Sequence, residues 1–277
     1  MSIRLIAFDL DGTLLKEDKT VSERTMTALQ NAADRGIYLV PSTGRVYDGM
    51  PDVVKNMPFV RYAITVNGAQ IYDVKEKKIL HRAELTREES ETVFAYGRDW
   101  EALCGCYQNG QGLMEEKDLT DLRPYTRNEK TAEMMKRVYR PLKNMEKTIF
   151  DIEPTIQKIQ YYFREIPERD RRLPEIKAHF PNLEISTSLP NNIEINSAKA
   201  NKGLALKFLC GHLGIGLEEC MAFGDGTNDL ALLKTAGRGM AMANADPEVL
   251  KATVYHTACT NEEDGVAIEI EACLKEA

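Results

Sequence analysis

Residues 3–13 read Ile3-Arg4-Leu5-Ile6-Ala7-Phe8-Asp9-Leu10-Asp11-Gly12-Thr13, an apolar run that breaks into two carboxylates and a glycine. The IRLIAF portion at 3–8 predicts a buried β-strand. After it, Ser22 followed by Met26, Leu29, Ala32 and Ala33 and closed by Gly36 has the spacing of a capped amphipathic helix. Ile37–Val40 predicts a second strand. Strand, helix and strand joined by short links imply a right-handed crossover and a parallel sheet, a pattern that AITVNG near Tyr62–Val66 resumes.

The same alternation returns late in the chain. Gly203–Leu213 predicts a helix, Cys220–Phe223 a strand, Asp229–Thr235 a helix and Gly239–Ala243 a short strand. The middle is different: a charged helix over Thr86–Trp100, short strands over Cys104–Met114, the alternating strand IQKIQYYFRE, a helical PERDRRLPEIKAHF, and the strand pair LEISTS and NNIEIN. The expectation is an α/β fold with a Rossmann-like parallel-sheet core over 1–82 and 186–277, interrupted by an inserted α+β domain over 83–185.

Composition narrows the function classes. With 277 residues, 43% apolar and 29% charged, the chain is long enough for one large or two modest domains, and its net charge of −7 argues against a nucleic-acid or anionic-membrane partner. No apolar stretch reaches the roughly 18 residues of a membrane helix, and none of the six cysteines forms a CxxC pair, so a cytoplasmic location is expected. Cys104-Gly-Cys106 reads as two small residues on one strand face. Arg123–Lys147 carries eight basic and three acidic residues; this is a solvated helix face or an attractor for a phosphorylated small molecule.

Four motifs carry chemistry. Asp9 and Asp11 leave a strand at its carboxyl end, where ligands collect in parallel sheets, and at this spacing two carboxylates can share a hard cation. Gly12 permits the turn that brings backbone N–H groups toward an anion. Ser42-Thr43-Gly44-Arg45 puts a hydroxyl and a flexible turn at the same sheet edge, and Lys202 opens a helix, where ammonium and helix N-terminus both favour an anion. Gly224-Asp225-Gly226-Thr227-Asn228-Asp229 follows another strand and adds two carboxylates and an amide. Alone, these read as a calcium-type loop or turn, a tight turn, a surface lysine and an Asx-rich loop; their combination in this order points to one site.

In these motifs the sequence resembles the haloacid dehalogenase superfamily of phosphohydrolases, in the Cof-type group with a large inserted cap. VNGAQIYD at 66–73, AMANADPEV at 241–249 and NEEDGVA at 261–267 resemble stretches that accompany the group. The resemblance implies that Asp9 is the nucleophile that takes the phosphoryl group as an aspartyl phosphate, and that Asp11 is the general acid and base. Ion pumps of the superfamily carry Thr at the second position, so Asp11 favours rapid hydrolysis. It further implies phosphate binding by Thr43, Gly44, Lys202 and Asn228, and Mg²⁺ held by Asp9, the Asp11 backbone carbonyl, Asp225 and Asp229, the last directly or through water. Arg45 is open between anchoring structure and touching substrate.

The function so implied is a Mg²⁺-dependent phosphomonoester hydrolase for small phosphorylated metabolites, sugar phosphates first among them, acting as a monomer or weak homo-oligomer. A phosphohexomutase of the same superfamily and a non-catalytic phospholigand-binding module are the alternatives. Substrate choice is expected in the cap, where Arg123, Tyr125, Arg127, Lys136, Tyr161 and Arg164 have suitable polar tips, although each taken singly reads first as a structural residue.

Overall fold

The computed structural model describes residues 2–126 and 128–276. Arg127 and the side chain of Lys130, both in the basic stretch, lie outside the described residues. The chain divides into two units, Met1–Arg82 with Asn201–Ala277, and Ala83–Ala200.

The first unit starts with β1 (Leu5–Phe8), every residue of which is buried. Helix α1 (Glu23–Asp34) begins at Ser22, whose hydroxyl accepts the Thr25 N–H, and buries Thr25, Ala28, Leu29 and Ala32 along one face. Strand β2 (Tyr38–Pro41) then pairs parallel to β1, and the one-turn helix α2 (Asp52–Lys55) follows. The next strand, β3 (Tyr62–Thr65), meets the end of β2 through a parallel bridge of Ser42 to Ile64, as expected, and in addition heads an antiparallel three-stranded sheet with β4 (Gln70–Asp73) and β5 (Lys78–Arg82) that the sequence did not announce. The tight turn at Val66–Gly68 reverses the chain before a crossover helix can form, which dictates antiparallel pairing.

The second unit runs α3 (Arg87–Gly97), β6 (Ala102–Gln108), β7 (Gln111–Glu115), α4 (Glu129–Val138), β8 (Tyr139–Leu142), α5 (Met145–Ile152), β9 (Lys158–Phe163), α6 (Ile166–His179), β10 (Leu183–Ser186) and β11 (Asn192–Ser197). Thr86 and Glu89 close a reciprocal capping box on α3. The strands form one sheet in the order β10-β11-β9-β6-β7-β8. One face is apolar: Cys106, Leu113, Ile159, Tyr161, Phe163, Ile193 and Ile195 join the buried cluster of this unit. Period-2 alternation sends Lys158, Gln160 and Tyr162 to the other face, where Lys158 pairs with Glu194 at 2.9 Å although both are buried.

This sheet corrects the expected boundary at 186. Strand β10 pairs antiparallel with β11, and β11 in turn with β9, so the chain stays in the inserted unit through Ala200. Tyr161 follows its structural reading: it is a core residue whose hydroxyl donates to the Val93 carbonyl at 3.0 Å. Cys104 and Cys106 lie two apart on β6, as expected.

The chain returns to the first unit with α7 (Lys202–Leu213), β12 (Cys220–Gly224), α8 (Leu230–Thr235), β13 (Arg238–Ala241), α9 (Pro247–Ala252), β14 (Tyr255–His256) and α10 (Gly265–Glu276). The parallel sheet has the order β14-β13-β12-β1-β2. Chain direction across the sheet reverses at β1, which lies between β12 and β2, so the carboxyl end of β1 is the topological switch point where such sheets bind ligands. Leu5 to Phe8, Leu39, Val40 and Cys220 to Phe223 form the centre of the buried core and fix that end of the sheet. Among the described residues no helix is long and apolar enough to cross a membrane.

Candidate active site

Asp9 is the first residue beyond β1, and its N–H donates to the Phe223 carbonyl at 3.0 Å, tying it to the end of β12. Only two residues further along that neighbour stands Asp225. Gly12 makes their approach possible. Its φ is +83°, and a Cβ there would meet Asp225 Oδ2 at 2.3 Å, so both backbone conformation and space require glycine. Thr13 then donates its hydroxyl to Asp225 Oδ1 at 2.6 Å, and Asn244 Nδ2 braces the loop through the Gly12 carbonyl at 2.8 Å.

Lys202 opens α7 and is fully buried, not a surface lysine. Its Nζ donates to Asp9 Oδ1 at 2.6 Å and to Asp229 Oδ1 at 2.5 Å. The other oxygen of Asp229 accepts the N–H groups of Asp225 and Gly226, at 3.1 and 3.0 Å, so this one buried carboxylate shapes the loop and anchors the ammonium. Oxygens of Asp9, Asp225 and Asp229 lie within 4.8 Å of one another, the one such potential metal-ligating group among the described residues.

Electrostatics follow from that crowding. Burial and the neighbouring carboxylates Asp229 and Asp225 push Asp9 well above the usual carboxylate range, against the pull of Lys202. Asp225 is pushed up to about 7, chiefly by burial and then by the charge of Asp229. Burial disfavours a charged Lys202, yet Asp229 and Asp9 outweigh it and raise the ammonium's pKa. Three carboxylates thus face one ammonium, and a hard divalent cation is the charge this oxygen set lacks. The donor set fits Mg²⁺.

Asp11 behaves differently. Burial acts to raise its pKa, but Arg45 bonds both of its oxygens and Lys19 Nζ adds a contact at 2.8 Å, and together they hold the carboxyl down at about 2. Arg45 therefore anchors Asp11. Asp11 is half-exposed, and its oxygens are not in the Asp9 group.

Thr43 and Gly44 follow β2 and sit against the turn at Val66–Gly68. The Thr43 N–H donates to the Ile64 carbonyl at 2.9 Å, and the Thr43 carbonyl accepts the Asn67 N–H at 3.0 Å. Asn228 Nδ2 donates to Asn67 Oδ1 at 3.2 Å, which links the phosphate-binding candidates Thr43, Gly44 and Asn228 through one unanticipated residue. Sequence reasoning also missed Thr13 and Lys19. Asn67 did carry a signal, as the first residue of an Asn-Gly pair directly after a strand that ends at the same sheet edge.

The model of the haloacid dehalogenase-like hydrolases matches residues 6–270. A 5-amino-6-(5-phospho-D-ribitylamino)uracil phosphatase of Bacillus subtilis is 31% identical, with 96% of this chain and 94% of that one covered. An HMP-PP phosphatase of an Enterobacter species is 30% identical over 89% of this chain and 86% of its own. Among solved structures, a haloacid dehalogenase-like hydrolase from Bacteroides thetaiotaomicron superposes with a TM-score of 0.80 at 29% identity, covering 98% of this chain and 99% of that one.

Proposed function

The chain belongs to the haloacid dehalogenase-like hydrolase family, and from that premise we propose that it hydrolyses phosphomonoesters of small metabolites with Mg²⁺, through a phosphorylated Asp9. The observation that carries this reading is the different environment of two carboxylates two residues apart in sequence. Asp9 is buried in an acidic cluster against Lys202, whereas Asp11 is half-exposed and bound by Arg45 and Lys19. Environments that separate two carboxylates in this way suit them to two roles.

Asp9 attacks the phosphorus atom, the ester oxygen leaves with the proton Asp11 supplies, and Asp11 then takes a proton from the water that hydrolyses the acyl phosphate. Asp9, the Asp11 backbone carbonyl and Asp225 would hold Mg²⁺ in this reading, and Asp229 would act through water, because its two oxygens already accept from Lys202 and from two backbone N–H groups. A cation held there would offset carboxylate charge that otherwise repels a phosphate dianion. Thr43, Gly44, Lys202 and Asn228 receive the phosphoryl oxygens, with donors set in advance by buried contacts. Lys202 serves both states: it holds Asp9 before reaction and neutralises the transferred group during it.

Asp11 can donate a proton only after Arg45 loosens its hold, since the clamp favours the ionised form. The same clamp opposes proton uptake, so Asp11 also acts as base only as Arg45 and Lys19 let go of it. We assign substrate choice to the inserted unit, 83–200. A relative named for a phosphoribityl substrate makes polyol and sugar phosphates the first class to test.

The test is phosphate release over a panel of phosphorylated sugars, polyols, nucleotides and cofactors, with and without Mg²⁺, for wild type and Asp9→Asn. Mg²⁺-dependent release lost in the variant supports the reading. No release from any ester by the folded, Mg²⁺-loaded protein overturns it.

A further inference from the structure

We propose that Asn67 is a positioning residue, which sets the orientation of Asn228 and the Thr43–Gly44 loop for phosphate; this rests on the phosphate-binding reading above. The backbone makes the position unusual. Val66, Asn67 and Gly68 have φ of +52°, +57° and +95°, three successive residues in the left-handed region. For a β-branched valine such a conformation is disfavoured, and strain of this sort costs on the order of 1–3 kcal/mol, so it persists only where surrounding contacts impose it.

Those contacts all lead to the site. The Val66 N–H donates to the Arg45 carbonyl at 2.9 Å, and the Asn67 N–H to the Thr43 carbonyl at 3.0 Å. Gly68 packs so tightly on the start of α7 that a Cβ would stand 2.4 Å from the Asn201 carbonyl oxygen, next to Lys202. The Asn67 side chain is buried, its Oδ1 accepts from Asn228 Nδ2, and it lies only 2.8 Å from where a Cβ on residue 44 would be. One turn thus braces the Thr43–Gly44 loop, the Lys202 helix and Asn228.

Asparagine suits this position for two physical reasons. It tolerates the left-handed conformation better than most non-glycine residues, and its amide oxygen is an acceptor that dictates which end of the Asn228 amide faces it. With Asn228 Nδ2 engaged by Asn67, the rotation of the Asn228 amide is restricted before an anion arrives. Preorganisation of this kind raises affinity without a direct contact.

The experiment measures inorganic phosphate binding in Mg²⁺ by calorimetry, with thermal unfolding in parallel, for wild type, Asn67→Gly, Asn228→Ala and the double variant. Glycine preserves the left-handed backbone while removing the amide. We expect about a 10-fold loss of phosphate affinity in Asn67→Gly and no further loss when it is added to Asn228→Ala. Unchanged affinity in Asn67→Gly, or losses that add in the double variant, would overturn the proposal. If Asn67→Gly does not fold, Asn67→Ser carries the same cycle, its side chain being too short to keep the bond. Absence of phosphate binding by the wild type would count against the hydrolase reading itself; wild-type binding that Asn67→Gly retains would count against Asn67 alone.

Discussion

Arg45 grips Asp11 at two points, Nε on Oδ2 at 2.7 Å and Nη2 on Oδ1 at 2.9 Å. Fork geometry of this kind is the strongest common pairing for a carboxylate, and here it outweighs the effect of burial. Replacing Arg45 with Gln keeps a donor and removes the charge. We expect the Asp11 carboxyl to titrate about 1 unit or more higher, followed by carboxylate ¹³C NMR, with lower phosphatase activity. A midpoint that stays near its wild-type value of about 2 would show that Lys19 alone is sufficient.

Asp225 gives a pH-dependent stability of the opposite sign. Its folded pKa, about 7, exceeds the ordinary carboxylate value, so between pH 4 and 7 the folded state binds more protons than the unfolded state. This contribution is most favourable below the unfolded pKa and is lost as pH rises through about 7. Metal-free Asp225→Asn should therefore unfold later than wild type at pH 8, by about 1 kcal/mol or roughly 2–4 °C, and the gain should shrink at pH 5. Calorimetric scans in chelator at the two pH values measure it. Equal melting temperatures at pH 8 would show that the buried carboxylate carries no strain.

Metal dependence is the companion outcome. Chelator should abolish turnover in wild type and Mg²⁺ should restore it. Mg²⁺ should also raise the melting temperature of wild type more at pH 8 than at pH 5, because protons compete for the same carboxylates. In Asp225→Asn both responses should fall to near nothing.

Lys202→Met tests the centre of the cluster. The substitution keeps most of the volume and leaves Asp9 and Asp229 buried without their ammonium. Breaking a buried pair from one side costs about 3–5 kcal/mol. Urea unfolding should record most of that loss at pH 8 and less at pH 5, where Asp9, whose pKa is already raised, can take up a proton. A variant as stable as wild type at pH 8 would mean that water or Mg²⁺ replaces the ammonium.

Asp9→Asn should remain folded and lose phosphatase activity by at least about 10³-fold, as expected when a nucleophile is removed. Quenched-flow detection of protein-bound phosphate distinguishes the step. Wild type should show a phosphorylated enzyme and the variant none; phosphate incorporated into Asp9→Asn would place the nucleophile elsewhere.

Much of the site was legible before any fold was known. Asp9, Thr43 and Asp225 each stand within three residues of the end of an apolar run, and in a parallel sheet the ends of such runs converge, so their proximity follows from strand order. Lys202 was legible as a helix start, because Asn201 is a capping residue, but not as a buried residue. Burial depends on Asp9 and Asp229 enclosing the ammonium from distant parts of the chain. Asn67, Thr13 and Lys19 were given no role, since their partners, Asn228, Asp225 and Asp11, are set by loop paths.

What the sequence by itself determined is the local grammar: which runs are strands, which are helices, where caps and turns fall, and which carboxylates emerge at strand ends. Those properties depend on periodicity and on neighbours within a few residues. Tertiary structure alone decided that β3 also heads an antiparallel sheet and that β10 and β11 stay with the inserted sheet, because a short apolar strand does not encode all its partners or their direction. It also decided the charge states of Asp9, Asp11 and Asp225. Burial and Coulomb interactions act through space, and three carboxylates of the same chemical type acquire different protonation only when the fold gives them different neighbours.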